Sequence, residues 1–138
     1  YIFLSLEDFK NKINLNEFLE WEEVYDKHLY GTLKRSTMDI LNSGKNILFD
    51  VDVKGAESIK NYFQDQSIGI FIQAPSIETT RQRLLKRGTE SLEEVSFRVE
   101  KIQDELLLGG KMDYQLINNN LSQSKDDLYN LINQFLDL

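Results

Sequence analysis

Two aspartates, Asp50 and Asp52, stand near the end of the run Ile47-Leu-Phe-Asp-Val-Asp-Val-Lys-Gly55. On a strand, residues two apart point to one side. Open α/β sheets bind ligands at the carboxyl ends of their strands. An acidic pair there suits a metal ion or a polar substrate, and it equally suits a cap for the following helix. A second candidate is Phe18-Leu-Glu-Trp-Glu-Glu23, where alternation places Glu20 and Glu22 on one face and Leu19, Trp21 and Glu23 on the other. A carboxylate among aromatic residues is costly unless it accepts hydrogen bonds; the bland alternative is a solvated edge strand. Tyr30-Gly31-Thr32 sets two hydroxyls around a glycine, which turn chemistry also explains. Arg81, Arg83, Lys86 and Arg87, with Arg98 further on, form a basic run. Arg83 and Arg87 are four apart, a spacing at which like charges repel unless an anion lies near, and guanidinium forks suit phosphate oxygens. A solvated helix face is the competing reading. Asn118-Asn-Asn120 is a loop with capping potential, and His28 reads as a turn residue without a chemical role.

These residues need elements to hold them. Asn46 to Val51 is a short apolar run rich in β-formers and bounded by glycines, which predicts a buried strand of the parallel kind. Strands are also expected over Tyr1 to Leu4, Phe18 to Tyr25, Ile68 to Ile72 and Tyr114 to Ile117. Leu29 to Gly31 reads as a turn or a further short strand. Ser5 and the acid Asp8 open a helix to Asn14. Thr32 is placed to cap a helix that Gly44 ends. Further helices are expected from Gly55 to Phe63, from Ser76 to Gly88, and from the capping box Ser91-Leu-Glu-Glu94 to about Leu108. A last one opens at Ser122 or Ser124, with Leu128, Leu131, Ile132, Phe135 and Leu136 on one face. Strands alternating with helices predict a parallel α/β sheet. The acidic, aromatic stretch from Phe18 to Tyr30 breaks that rhythm and reads as a small inserted subdomain.

Composition narrows the chemistry. A chain of 138 residues is one domain by size. Asp plus Glu outnumber Lys plus Arg by 23 to 16, for a net charge of −7, the opposite of what a non-specific nucleic-acid binder carries. With no cysteine and a single histidine, thiolate and multi-histidine zinc sites are excluded. No apolar run reaches the ~18 residues of a membrane span, and no signal peptide is visible. The sequence opens at Tyr1, not at Met, and reads as starting inside a longer natural protein.

Taken in order, Phe18-Leu-Glu-Trp21, Tyr30-Gly-Thr32, Gly44-Lys45, Phe49-Asp-Val-Asp-Val-Lys-Gly-Ala56, Ala74-Pro-Ser76, Arg83-Leu-Leu-Lys-Arg-Gly-Thr89 and Arg98 resemble the guanylate kinase family over nearly the whole chain. The resemblance implies a three-layer α/β P-loop fold of the nucleoside-monophosphate-kinase type. Such a fold has a parallel core sheet, a small GMP-binding subdomain (1–32) and a helical lid (76–98), with the core over 33–75 and 99–138. It implies Glu20 as the guanine reader and Thr32 as a hydroxyl on the base. Tyr1 and Tyr30 would be phenol donors to the GMP phosphate, and Asp52 would face the GMP side. Asp50 would act on Mg²⁺ or its waters. Arg83, Arg87 and Arg98 would gather on the transferring phosphoryl group, with Arg83 and Arg87 also on ATP and Asn118 beside the adenine. The implied substrates are ATP and GMP, with Mg²⁺ as cofactor, in a cytoplasmic setting without nucleic-acid or membrane partners; a homo-oligomer stays open.

Departures accompany the resemblance. The motif G-x-x-x-x-G-K-[ST] is absent. In the family it precedes the point where this sequence begins, within a strand–loop–helix unit and part of the GMP subdomain, on the order of 50 residues together. The 138 residues alone are therefore expected not to catalyse. Asn119 and Asn120 stand where acids are usual, and Leu29 where an aromatic is. The other function class open to this fold is a catalytically inactive scaffold module that binds phosphopeptides. Such a module has no use for Asp50 or the arginines, which favours the kinase.

Overall fold

The computed structural model describes residues 2–24, 28–89 and 91–137. It divides into two compact units, Tyr1–Ser67 and Ile68–Leu138.

In the first unit, Ser5 caps helix α1 (Leu6–Asn14) by accepting from the Asp8 amide at 3.0 Å. The buried Phe9 of α1 stacks on Phe18, with ring centroids 4.4 Å apart. Phe18 opens strand β1 (Phe18–Val24), which pairs antiparallel with β2 (His28–Leu33). A register shift between Phe18 and Glu20 lets Phe18 and Leu19 both be buried before regular pairing resumes. Helix α2 (Lys34–Asn42) follows β2 directly. Residues 43–52 lead to helix α3 (Val53–Phe63), which packs on β1 and contributes Val53 and Ile59 to the core.

The second unit holds the parallel pair. Strand β3 (Ile70–Gln73) lies beside β4 (Tyr114–Ile117), with Ile70 opposite Tyr114 and Gln73 opposite Ile117. Between them come α4 (Ile77–Arg87), capped by Ser76 and ended by Gly88, and α5 (Leu92–Gly109), which packs against α4. The Ser91–Glu94 capping box of α5 forms in both directions, at 3.2 and 2.7 Å. Helix α6 (Leu121–Phe135) closes the unit. Among the described residues no helix is long and apolar enough to cross a membrane.

Three expectations need correction, and one open alternative is decided. Residues 2–4 form no strand, and Phe3 is 94% exposed. The run over 46–51 is likewise not a strand, although its burial alternates: Ile47, Phe49 and Val51 are half-buried, and Leu48, Asp50 and Asp52 are exposed. A strand is a ladder, and among the described residues neither stretch has a neighbour to bond with. Of the two readings open for 29–31, turn or short strand, the strand holds, and Tyr30-Gly31-Thr32 lies inside β2. A Cβ on Gly31 would stand 2.9 Å from both the Trp21 Cβ and the Phe18 ring, so the glycine is there for close strand packing. Asn120, and neither serine, caps α6 by accepting from the Gln123 amide at 3.1 Å, while Ser124 is buried.

Candidate functional site

The antiparallel ladder of β1 and β2 builds one wall of an open cleft of about 1060 Å³ in the first unit. Its rungs set Glu20 opposite Thr32 and Glu22 opposite Tyr30. On the first rung the Thr32 hydroxyl donates to a Glu20 carboxylate oxygen at 2.5 Å. Thr32 does not cap α2, because it is still paired in the β ladder. The cap position falls one residue later, on Leu33, which offers no side-chain acceptor. The buried Thr37 donates to the Leu33 carbonyl at 3.0 Å. Thr32 thus serves the cleft, and the helix start does without it.

The opposite wall comes from residues 48–52 at the entry to α3. Asp52 is the N-cap of that helix, one carboxylate oxygen accepting from the Gly55 amide at 2.7 Å. The capping alternative therefore holds for Asp52, while its exposed side chain also faces the cleft. Asp50 is exposed and lines the same cleft. Gly55 is the joint between the walls. A Cβ there would meet the Asp52 carboxylate oxygen at 3.1 Å, the Val51 Cβ at 3.2 Å and the Glu20 Cγ at 3.4 Å. Its missing side chain lets Glu20 lie across the first turn of α3. This role was not read from the sequence, where the only signal was a glycine three residues after a capping Asp.

Five anticipated residues, Glu20, Tyr30, Thr32, Asp50 and Asp52, thus line one cleft. The other donor anticipated for a phosphate, Tyr1, lies outside the described residues. Apolar walls from Phe9, Phe18 and Phe49 complete a cleft with a few converging polar groups, as small-molecule sites are built. His28 is in β2 rather than a turn.

The second unit holds the basic residues. Arg83 and Arg87 follow one another by four residues on α4, both exposed. Arg83 donates to the Asn118 carbonyl at 2.9 Å, which brings together two of the residues anticipated for ATP. Arg98 lies on the exposed surface of α5, one turn after Glu94. Hydrogen bonds from the Ser91 backbone and side chain hold the Glu94 carboxyl below its ordinary value, and the Arg98 charge adds to the effect. Among the described residues no group of three metal-ligating side chains forms. A lone exposed carboxylate such as Asp50 still suits Mg²⁺, which keeps several waters and takes one or two carboxylates beside substrate phosphates.

The guanylate kinase family model matches residues 1–135. A guanylate kinase of Porphyromonas gingivalis is 46% identical over 136 residues, which cover 99% of this chain and 72% of that protein. One from Bacteroides fragilis is 42% identical over 136 residues, covering 99% and 67%. The crystal structure of guanylate kinase from Anaplasma phagocytophilum superimposes with a TM-score of 0.73 at 23% identity, covering 97% of this chain and 64% of that one, and so shares its fold.

Proposed function

The chain belongs to the guanylate kinase family, and from that premise we propose that it acts in a kinase that moves the γ-phosphoryl group of ATP to GMP, yielding ADP and GDP. The observation that carries this reading is the Glu20–Thr32 rung facing the cleft. Guanine presents an N1–H and an N2 amino group side by side, and a carboxylate accepts from both. The Thr32 hydroxyl can turn from Glu20 to the base. Adenine offers a lone pair at N1, which a carboxylate repels. A site built on such hydrogen bonds rejects the analogue that lacks them.

The other residues take roles around that anchor. Tyr30, and Tyr1 with it, donate phenol protons to the GMP phosphate, while Asp52 keeps its helix cap and presents its other oxygen to the cleft. Asp50 is the residue that would hold Mg²⁺ or its waters. Bound with ATP, that ion would neutralise charge on the phosphates. Arg83, Arg87 and Arg98 neutralise charge that spreads over the equatorial oxygens during transfer. Asn118 stands beside the ATP adenine. In this reading 1–32 forms the GMP side, 76–98 the lid, and 33–75 with 99–138 the core. ATP and GMP as substrates go with a cytoplasmic setting.

A coupled assay of the full-length protein with ATP and Mg²⁺ tests the reading. GDP should form from GMP, with kcat/KM exceeding that for AMP by on the order of 10²-fold or more. Equal use of the two nucleotides, or none of either, would overturn it.

A further inference from the structure

Among the described residues, Glu22 is the one acidic group lining the cleft to which phosphoryl transfer gives no task. It follows Glu20 on the same face of β1 and sits two rungs further along, past the Trp21–Gly31 pair, opposite Tyr30 as Glu20 is opposite Thr32. Its side chain is exposed. Among the described residues it has no hydrogen-bond or ion-pair partner. An ionised carboxylate only accepts, so what it can bind must bring donors. Two residues of an antiparallel strand span about 6.8 Å. That is close to the reach from the Watson–Crick edge of a guanine to the hydroxyls of its own ribose. The Glu20–Thr32 and Glu22–Tyr30 pairs can thus take the base end and the sugar–phosphate end of one nucleotide. A base read by Glu20 and Thr32 would set its sugar beside Glu22, with the phosphate reached by the Tyr30 phenol across the ladder.

We propose that Glu22 is a specificity residue for the sugar: its carboxylate accepts from the vicinal ribose hydroxyls and makes the cleft favour GMP over its 2′-deoxy analogue. A ribose diol offers two donors at a separation a carboxylate can bridge, and dinucleotide-binding folds use an acid on the 2′-hydroxyl in the same way. The phosphate is the wrong partner, because two anions repel. The proposal rests on the guanine-reading role of the first rung.

Calorimetric titration of the full-length protein with GMP, dGMP and AMP separates the two claims. The native protein should bind GMP about three- to tenfold more tightly than dGMP, the range of one hydrogen bond at an open site. Glu22→Ala should bring that ratio close to one by weakening GMP more than dGMP, which keeps only the 3′-hydroxyl contact, and Glu22→Gln, which keeps one acceptor, should fall between. Preference for GMP over AMP should persist in both variants, and equal melting temperatures would show that the strand is intact. An unchanged GMP-to-dGMP ratio in Glu22→Ala overturns the proposal. So does equal tightening of both nucleotides, which would make Glu22 a repulsive wall. A native protein that binds GMP no better than AMP would instead overturn the guanine-reading role.

Discussion

Glu20 is half-buried against α3, and it accepts from the Thr32 hydroxyl at 2.5 Å. Removing that donor should be felt twice. Thr32→Val keeps the shape suited to a strand and deletes the hydroxyl. We expect a loss of about 1 kcal/mol in stability, from thermal denaturation, and roughly tenfold weaker GMP binding. A variant that loses stability but keeps its GMP affinity would confine Thr32 to a structural role. Gly55 allows the complementary test. Gly55→Ala gains about 1 kcal/mol of helix propensity, yet its Cβ would sit 3.2 Å from the Val51 Cβ and 3.4 Å from the Glu20 Cγ. The two effects nearly cancel in melting temperature. Displacement of Glu20 should nonetheless weaken GMP by on the order of tenfold, because small misplacements are costly at a positioned site. Unaltered GMP affinity would mean that Glu20 has slack.

At the scale of elements, the start of α5 carries a pH dependence. The folded pKa of Glu94 is depressed, so the stability it contributes is full above the ordinary glutamate value of 4.5. That contribution is lost as pH falls through the lowered folded value. Hydrogen exchange should show the first turn of α5 opening over that acidic window, and Glu94→Gln should remove the dependence. Constant protection through the window would contradict the sign. Helix starts of this kind were legible in the sequence because their chemistry is local: Ser5, Ser76 and Ser91 each cap the helix expected of them. Strands were legible only where a partner exists. Phe18–Val24 and Tyr114–Ile117 form ladders, whereas 46–51 has the right residues and no neighbour among those described. In the site, Glu20 and Thr32 could be read as chemistry, but their direct bond depends on a register shift that no local pattern announces. Asn120 won the α6 cap from two serines because the strand ends at Ile117, which puts the helix start earlier.

At the scale of the whole molecule, the proposed transfer assigns charge neutralisation to the arginines of α4 and α5. Arg87→Ala in the full-length protein should cut kcat by on the order of 10²-fold, the scale of one lost preorganised donor. Its melting temperature should hold or rise slightly, since repulsion with Arg83 is removed. Normal turnover would return α4 to an ordinary solvated surface. The account stands or falls, however, on the first rung of the cleft. Its most direct test is Glu20→Gln in the full-length protein, with steady-state kinetics taken separately for GMP and ATP. The amide keeps the size of the side chain, removes the charge and turns an N–H₂ group towards the donors of guanine. The expected result is a fall in kcat/KM for GMP of about ten- to a hundredfold, the equivalent of roughly 1.5–3 kcal/mol, with the KM for ATP little changed. An unaltered preference for GMP would contradict the claim that Glu20 reads the base.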